Sequence, residues 1–334
     1  MNALEARIAA FGEVVSGAQD TMALLTVFEL GVFTALWRSP QTAHELGDAL
    51  GVNGHRLRAF LDRVAALGFL AKQTDRYSLV PGDEDLFDPE HDRARALGFA
   101  SVEKTLGRCA RAVEVLRSDT SMAVAGTGAQ ASVEERTRFL QYLHTRSEAI
   151  AAELAELLCQ TPARRIVDLG CGLGTYAAAV LSLAPDATAL LVDRDTAEPA
   201  VRAFLADRGL STRARFQAGD FLTHDWGHGF DLALASNLVH NLGHKATVAL
   251  LARTLERLAP GGRVVVKDLV VDDDRLAPTG ATRFALMMAL FTDRGGVFPA
   301  SEVAGWMREL GYVEVGEVSL QTAPDAWVLV GHKA

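Results

Sequence analysis

The sequence predicts an α/β protein in which a doubly wound parallel sheet follows a mainly α-helical domain. From Arg164 onward, short β-rich segments alternate with helical segments of about 10–15 residues, which is the pattern of a parallel sheet with crossover helices. Before Arg164, helical patterns dominate and one short hairpin interrupts them. The 334 residues, 49% of them hydrophobic and 22% charged, suffice for roughly two domains of about 150 residues each.

The N-terminal domain has the pattern of a winged helix. Residues 21–36 are apolar on nearly every side, which predicts a helix buried between layers or against a partner chain. Thr42 and Glu45 form the Ser/Thr-x-x-Glu pattern of a capping box and open a short helix. A second amphipathic helix follows at residues 55–70, and residues 74–76 are typical of a hairpin tip.

A winged helix raises the question of DNA binding. Arg56, Arg58 and Arg63 on its second helix could contact phosphates. The net charge of −9, however, counts against a large nucleic-acid surface. We therefore interpret this domain as a structural or dimerisation module and do not expect nucleic acid as a partner, with a DNA-binding regulator as the alternative.

We place the domains at residues 1–91 (winged helix), 92–160 (a helical linker with a Gly/Ala-rich break near 123–131) and 161–334 (the α/β sheet). No apolar run reaches the roughly 18–20 residues of a membrane span, and the N-terminus lacks the basic region of a signal peptide. The three cysteines are widely spaced, which suits a reducing compartment. We expect a cytoplasmic protein that does not contact a membrane.

The ends of the first three strands predict a nucleoside-containing cofactor with an ammonium group. Glycines at 170, 172 and 174 form a tight loop after the first strand, and Asp168 precedes them. A carboxylate there would repel a pyrophosphate and attract an ammonium, such as that of S-adenosylmethionine. Asp193 ends the second strand, where a carboxylate can accept hydrogen bonds from ribose hydroxyls. Gly219, Asp220 and Phe221 end the third strand and offer a carboxylate and an aromatic face for adenine.

The segments VDLGCGLG, LLVDRD, AGDF and LAPGGRVVVKD resemble the successive motifs of class I S-adenosylmethionine-dependent methyltransferases. With the winged helix, the whole chain resembles the plant-type and bacterial small-molecule O-methyltransferases, including polyketide-tailoring enzymes. The resemblance implies a Rossmann-like methyltransferase domain, S-adenosylmethionine as cofactor and a homodimer formed through the N-terminal domain. It implies cofactor contacts at positions Asp168, Gly170, Gly172, Gly174, Asp193, Gly219, Asp220, Phe221 and Ser236.

The fourth strand leads into His240, whose side chain suits proton removal near neutral pH. In the resembling enzymes a His at this position is the general base and an acid on the next strand orients it; Asp268 matches that acid. The sequence departs from their pattern twice. The His-Asp-Trp triplet reads His240-Asn241-Leu242, and Phe298 stands where plant-type enzymes carry a second Glu.

We expect the acceptor pocket to draw on the linker helix and on the helical segment at residues 283–296, where the resembling enzymes place methionines against aromatic acceptors. Met and Phe at helical spacing also fit an ordinary core, although the flexible thioether suits an adaptable pocket. The candidate substrate-binding residues are Phe139, Tyr142, Phe284, Met287, Met288 and Asp293.

The resemblance favours O-methylation of a small aromatic or polyketide-like acceptor, and it alone implies a role in specialised metabolism. C- or N-methylation needs less help with deprotonation and stays open, as does an enzyme that uses the cofactor without transferring its methyl group. Two His-x3-His pairs, His224/His228 and His240/His244, fall in loop-like sequence and not on one helix face, so we expect no metal site.

Overall fold

A computed structural model of the protein describes residues 2–89, 106–107, 110–118, 120–122 and 132–334. Contacts divide the chain into two units, Met1–Glu114 and Val115–Ala334. The first unit begins with the following elements: α1 (Ala3–Glu29), α2 (Val32–Arg38), β1 (Gln41–Thr42), α3 (Ala43–Leu50), α4 (Gly54–Ala66), β2 (Ala71–Gln73) and β3 (Arg76–Ser78). A single 3-10 turn follows at Glu84–Leu86, and α5 spans Ala112–Ser118.

The winged-helix pattern is confirmed. Thr42 and Glu45 form the expected capping box at the start of α3, and Asn53 caps α4 through the N–H of Arg56. The strands β2 and β3 form the predicted hairpin, and β1 pairs with β3 to complete a three-stranded sheet in the order β1-β3-β2. The core of this unit lies between the helices and the sheet.

The prediction that residues 21–36 form one continuous helix is wrong. The chain forms α1 and α2 instead, because Gly31 between them takes a left-handed conformation with φ +77° that ends one helix and begins the next. Side chains from both helices still enter the core, including the fully buried Val27 and Val32.

The second unit continues with the remaining elements: α6 (Val133–Leu158), β4 (Arg165–Leu169), α7 (Thr175–Leu183), β5 (Thr188–Asp193), α8 (Glu198–Asp207), β6 (Ala214–Ala218), β7 (Phe230–Ser236), α9 (His244–Arg257), β8 (Leu258–Leu269), α10 (Thr279–Phe291), α11 (Ala300–Glu309), β9 (Val313–Val318) and β10 (Ala326–His332). Single 3-10 turns lie at Asp195–Ala197 and Val239–Asn241.

Seven strands form one sheet in the order β6-β5-β4-β7-β8-β10-β9. The first five are parallel, as predicted from the alternation of strands and helices. The last two are an antiparallel hairpin that the sequence analysis did not predict; β10 runs antiparallel to both β8 and β9. The sheet is therefore mixed and not wholly parallel.

Alternate side chains of the central strands enter two separate cores. On one face, residues such as Ile166, Leu191 and Leu234 pack with α6, α7 and α8. On the other face, residues such as Val167 and Val266 pack with α9 and α11. Strands buried on both faces are typical of doubly wound sheets, whose ligands bind beyond the carboxyl ends of the strands.

The part of the helical linker before its Gly/Ala-rich break falls largely outside the described residues, and the break near 123–131 falls wholly outside them. The long helix expected before residue 160 is confirmed as α6, which Ser132 and Glu135 open with a further capping box. Among the described helices, no single one is long and apolar enough to cross a membrane, whereas the pair Leu4–Glu29 and Val32–Arg38, bent by 57°, has that length and composition together.

Candidate active site

The glycine loop after β4 is held against the end of β5. The backbone N–H groups of Gly170 and Cys171 donate to the carbonyl of Val192, at 2.8 and 3.2 Å. Gly170, Gly172 and Gly174 all take left-handed conformations. A Cβ at Gly174 would lie 2.2 Å from a methyl group of Leu191, so the turn into α7 requires glycine both for its backbone angle and for space.

Asp168 is a buried carboxyl at the end of β4 with unused acceptor capacity. It is 1% exposed, and within the described part of the chain its Oδ2 atom has no hydrogen-bond partner. Burial raises the pKa of Asp168 to about 7; the nearby Asp193 adds to the rise and the N–H of Ala177 opposes it. A buried polar atom without a partner is costly, which indicates that a donor from a ligand belongs there.

Asp193 ends β5 with its carboxylate beside the glycine loop. Its oxygens accept hydrogen bonds from the backbone N–H groups of Gly172 and Arg194, at 2.8 and 2.7 Å. The guanidinium of Arg136, on α6, forms a nearly buried ion pair with it at 3.0 Å. A carboxylate has about four acceptor positions, so these three donors leave one position for a hydroxyl of a ligand.

The end of β6 lies next to Asp193. The N–H of Gly219 donates to the carbonyl of Asp193 at 2.9 Å. Asp220 is exposed and caps a turn through the N–H of Leu222, whereas Phe221 is half-buried against the sheet. Ser236, at the end of β7, is buried, and its hydroxyl has no partner among the described residues.

These residues fit S-adenosylmethionine. The unpartnered oxygen of Asp168 suits an ammonium, and the left-handed conformations of Gly170, Gly172 and Gly174 let the chain turn tightly just after it. Asp193 retains acceptor capacity suited to a ribose hydroxyl. The structure thus brings the glycine loop, Asp168, Asp193 and Gly219 together, although which of the predicted residues contact a cofactor stays a prediction.

His240 and Asp268 form the predicted pair. The two atoms His240 Nδ1 and Asp268 Oδ1 lie 2.8 Å apart, and the backbone N–H of His240 donates to Asp268 Oδ2 at 3.0 Å. Asp268 is 3% exposed; burial favours its neutral form, but the imidazole and the N–H donors of His240 and Leu269 outweigh burial and lower the pKa of Asp268. The ionised carboxylate therefore fixes the ring, and Nε2 has no partner within the described ranges.

The Gly-Gly pair after α10 packs on the backbone of His240. The N–H of Gly296 donates to the carbonyl of His240 at 2.9 Å, and a Cβ at Gly295 would lie 2.3 Å from that same oxygen. Phe298, which replaces the second Glu of plant-type enzymes, packs edge-on against Trp306 with ring centres 5.3 Å apart.

Neither acid near this loop replaces the missing Glu at the imidazole. Asp293 is exposed and accepts a hydrogen bond from Ser121, while Glu302 pairs with Arg275. Asp268 is thus the carboxylate that contacts His240 in the described part of the chain.

The predicted acceptor-binding residues lie on α6, on α10 and, in the case of Asp293, just after α10. Phe284 on α10 packs edge-on against His240, with ring centres 4.9 Å apart. Met288 is half-buried, and Met287 on the same helix is 40% exposed. Phe139 and Tyr142 lie on α6 and are half-buried. Of these residues, Phe284 is placed by direct contact with the candidate base, and the others remain predictions.

Sequence reasoning missed three polar residues at the site: Arg136, Asn237 and Lys267. Lys267 is buried in β8 beside Asp268 and donates to the side chain of Asn237 at 2.8 Å. A lysine inside an otherwise apolar strand was a signal for it. No comparable signal marks Arg136, because arginine is ordinary on a long helix and its contact with Asp193 spans 57 residues.

Comparison with known proteins places both units. Residues 111–313 match the O-methyltransferase domain family, and residues 13–82 match the O-methyltransferase dimerisation domain. The tetracenomycin polyketide synthesis 8-O-methyltransferase of Streptomyces glaucescens is 28% identical over 93% of this chain and 92% of its own. The 3-hydroxy-5-methyl-1-naphthoate 3-O-methyltransferase of Streptomyces sahachiroi is 27% identical over 96% and 94%. Human N-acetylserotonin methyltransferase, solved with S-adenosylmethionine, shares the fold at a TM-score of 0.76 and 19% identity, covering 98% of each chain.

Proposed function

Because the chain belongs to the O-methyltransferase family, we propose that it transfers the methyl group of S-adenosylmethionine to a hydroxyl oxygen of a small aromatic or polyketide-like molecule. The hydrogen bond between His240 and Asp268 carries this proposal, since it prepares a ring nitrogen to accept a proton. The two bacterial relatives, which are named as polyketide and naphthoate O-methyltransferases, support a role in specialised metabolite biosynthesis.

When bound, S-adenosylmethionine supplies a methyl group that its sulfonium already activates. Asp168 would hold the ammonium, the loop at Gly170, Gly172 and Gly174 would lie along the cofactor, and Asp193 would bind its ribose. Gly219, Asp220 and Phe221 would border the adenine, and Ser236 would contact the cofactor from the end of β7, the strand beside β4. The protein's further task is to align the acceptor oxygen and to remove its proton.

His240 would remove that proton through Nε2. Asp268 holds Nδ1, so that nitrogen keeps its hydrogen and Nε2 of the neutral ring is the acceptor. The bond from the methyl carbon to sulfur would break as the acceptor oxygen bonds to that carbon. The proton of this oxygen would pass to Nε2 of His240, and the imidazole would become positive. The buried carboxylate of Asp268 stabilises that charge, as an orienting acid does in other His-based mechanisms.

Phe284 would border the acceptor beside His240, with Met287 and Met288 on the same helix and Phe139, Tyr142 and Asp293 as further candidates. An aromatic edge next to the base favours a flat acceptor, because aromatic rings pack well edge to face.

The dimerisation domain supports a homodimer, and we place the interface on α1. The side chains of Leu4, Ile8, Phe11 and Val15 repeat every three to four residues along this helix and are 62–71% exposed. An exposed apolar stripe of this kind is typical of a protein interface. The described cysteines, Cys159 and Cys171, are free thiols, which supports a reducing compartment such as the cytoplasm.

The test is to incubate the protein with S-adenosylmethionine and a panel of hydroxylated aromatic and polyketide acceptors. S-adenosylhomocysteine release and the mass of the product report transfer, and NMR of the product identifies the methylated atom. We expect an O-methyl ether. A methyl group found on carbon or nitrogen would overturn O-methylation, and folded protein that binds the cofactor yet releases no S-adenosylhomocysteine with any acceptor would overturn methyl transfer.

A further inference from the structure

Lys267 is a buried cation that the proposed mechanism does not use. It lies in β8 between Val266 and Asp268 and is 5% exposed. Burial lowers the pKa of Lys267, and the carboxylates of Asp268 and Asp325 oppose that effect. Removing an ammonium from water is costly unless it is well paired, yet no carboxylate of the described chain forms an ion pair with its Nζ. The cost of burying Lys267 indicates that its side chain has a function.

The partner of Lys267 is the turn that carries His240. Its Nζ donates to Oδ1 of Asn237 at 2.8 Å, and its carbonyl accepts the backbone N–H of Asn237 at 2.7 Å. Asn237 therefore has both its main chain and its side chain bound to the same residue of β8. It stands at the end of β7, three positions before His240.

Asn237 has a conformation that needs such support. Its φ of +54° lies in the left-handed region, which Asn adopts more readily than most other non-glycine residues but which still costs free energy that surrounding contacts offset. This conformation turns the chain from β7 into the short 3-10 turn Val239–Asn241. The angle at Asn237 thus decides where His240 stands.

Adjacent residues of β8 fix both ends of this turn. Asp268 binds the ring and the backbone N–H of His240, while Lys267 binds Asn237. Successive side chains of a strand point to opposite faces of the sheet, so the two contacts hold the turn from two directions.

We propose that Lys267 is a positioning residue for methyl transfer, which holds Asn237 and through it aligns Nε2 of His240 with the acceptor hydroxyl. This inference rests on the proposed function. Lys267 acts here through Asn237 and not by contact with the acceptor or the cofactor. Its removal should therefore lower the rate of the chemical step and leave the binding of both ligands unchanged.

The test compares Lys267→Met, which keeps the length of the side chain but removes its donors, with Asn237→Gly, which keeps the left-handed backbone accessible but removes the amide. Lys245→Met, an exposed lysine on α9, is the control. We expect each of the two site variants to lose roughly 10- to 100-fold in kcat, the loss that a misplacement of about 1 Å produces. Acceptor KM and the Kd for S-adenosylhomocysteine should stay within about twofold.

The double variant Lys267→Met/Asn237→Gly separates an indirect role from a direct one. If Lys267 acts through Asn237, the double variant should be no slower than Asn237→Gly alone. Additive losses, an unchanged kcat in Lys267→Met, or a loss seen in acceptor KM or in S-adenosylhomocysteine affinity would each overturn the proposal. If Lys267→Met does not fold, full kcat in Asn237→Gly overturns it equally. Failure of methyl transfer itself is distinguishable, because wild type and Lys245→Met would then be inactive as well.

Discussion

In the proposed removal of a proton from the acceptor, Nε2 of His240 takes up the proton, and the ionised carboxylate of Asp268 holds the imidazole in place. The carboxylate is buried and receives three hydrogen bonds, from the ring of His240 and from two backbone N–H groups. These donors favour its ionised form, so it holds the imidazole in one tautomer. The missing second Glu of plant-type enzymes does not leave the ring loose, since Gly296 also binds the carbonyl of His240.

Replacing His240 by Ala should lower kcat by roughly 100- to 10,000-fold, the usual contribution of a general base. The Kd for S-adenosylhomocysteine, measured by calorimetry, should not change, because His240 is not among the residues proposed to hold the cofactor. His228→Ala, at an exposed position, provides the matched control. Turnover by His240→Ala equal to that of the control would remove the general-base role and favour an acceptor atom that needs no deprotonation.

Asp168 should make the stability of the cofactor-free protein depend on pH. Its folded pKa of about 7 lies above the ordinary value of 3.8, so the stabilisation from a neutral buried carboxyl is present at low pH. That stabilisation is lost as pH rises towards 7. Asp168→Asn abolishes this titration, so the variant should gain about 2–3 kcal/mol on wild type between pH 5 and pH 7, at about 1.4 kcal/mol per unit.

Urea unfolding of both proteins at several pH values measures this difference. Asp186→Asn, at an exposed position, should show no comparable change. The Asn variant should also bind S-adenosylmethionine more weakly, because the carboxylate that would pair with its ammonium is gone. A constant difference in the free energy of unfolding across this pH range would contradict the raised pKa of Asp168.

At the scale of helices and strands, most of the predictions that the structure confirms came from signals local in the sequence. The capping box at Thr42 and the alternation of strands and helices are short-range signals, and the structure confirms both. The β9–β10 hairpin was missed because β9 is a largely exposed edge strand without a continuous apolar run. The antiparallel direction of β10 is set by pairing with β8 and not by its own residues.

In the candidate active site, too, contacts between residues that are distant in the sequence could not be predicted from local patterns. The ends of β4, β5 and β7 could be located from the order of the motifs. The pairing of His240 with Asp268 on β8 came from the resemblance to the O-methyltransferases, and the structure joins the two side chains. Gly31 could equally be tolerated inside a helix or end it, and its φ of +77° became known only from the structure. The bond between Lys267 and Asn237 depends on the three-dimensional meeting of two strands, which no local pattern records.

Replacing Gly174 by Ala tests how the glycine loop joins α7. The backbone angle of φ +82° costs an L-residue about 1–2 kcal/mol, and the collision with Leu191 adds about 1–3 kcal/mol of overpacking. Gly261→Ala is the matched control, because its φ is +72° and a Cβ there meets nothing within 4 Å. Urea unfolding should show a larger loss for Gly174→Ala; equal losses would mean that Leu191 moves aside without cost.

At the scale of the whole molecule, the apolar stripe on α1 is the feature that a monomer leaves unexplained. Residues 21–36 are expected to be buried between layers or against a partner chain, and Val27 and Val32 are buried within their own unit. The exposed side chains belong instead to the earlier turns of α1, from Leu4 to Val15. Apolar side chains at this spacing cover one face of the helix, which a second copy of the chain could bury.

Ile8→Arg should therefore separate the subunits. An arginine buried in an apolar interface without a partner costs several kcal/mol, and every 1.4 kcal/mol changes the dissociation constant about tenfold. We expect the dimer dissociation constant to rise by at least about 100-fold in sedimentation measurements. Leu276→Arg changes a side chain that is 75% exposed in the other unit and should leave the dimer intact. A dimer that survives Ile8→Arg but not Leu276→Arg would move the interface away from α1 and leave its apolar stripe to another partner.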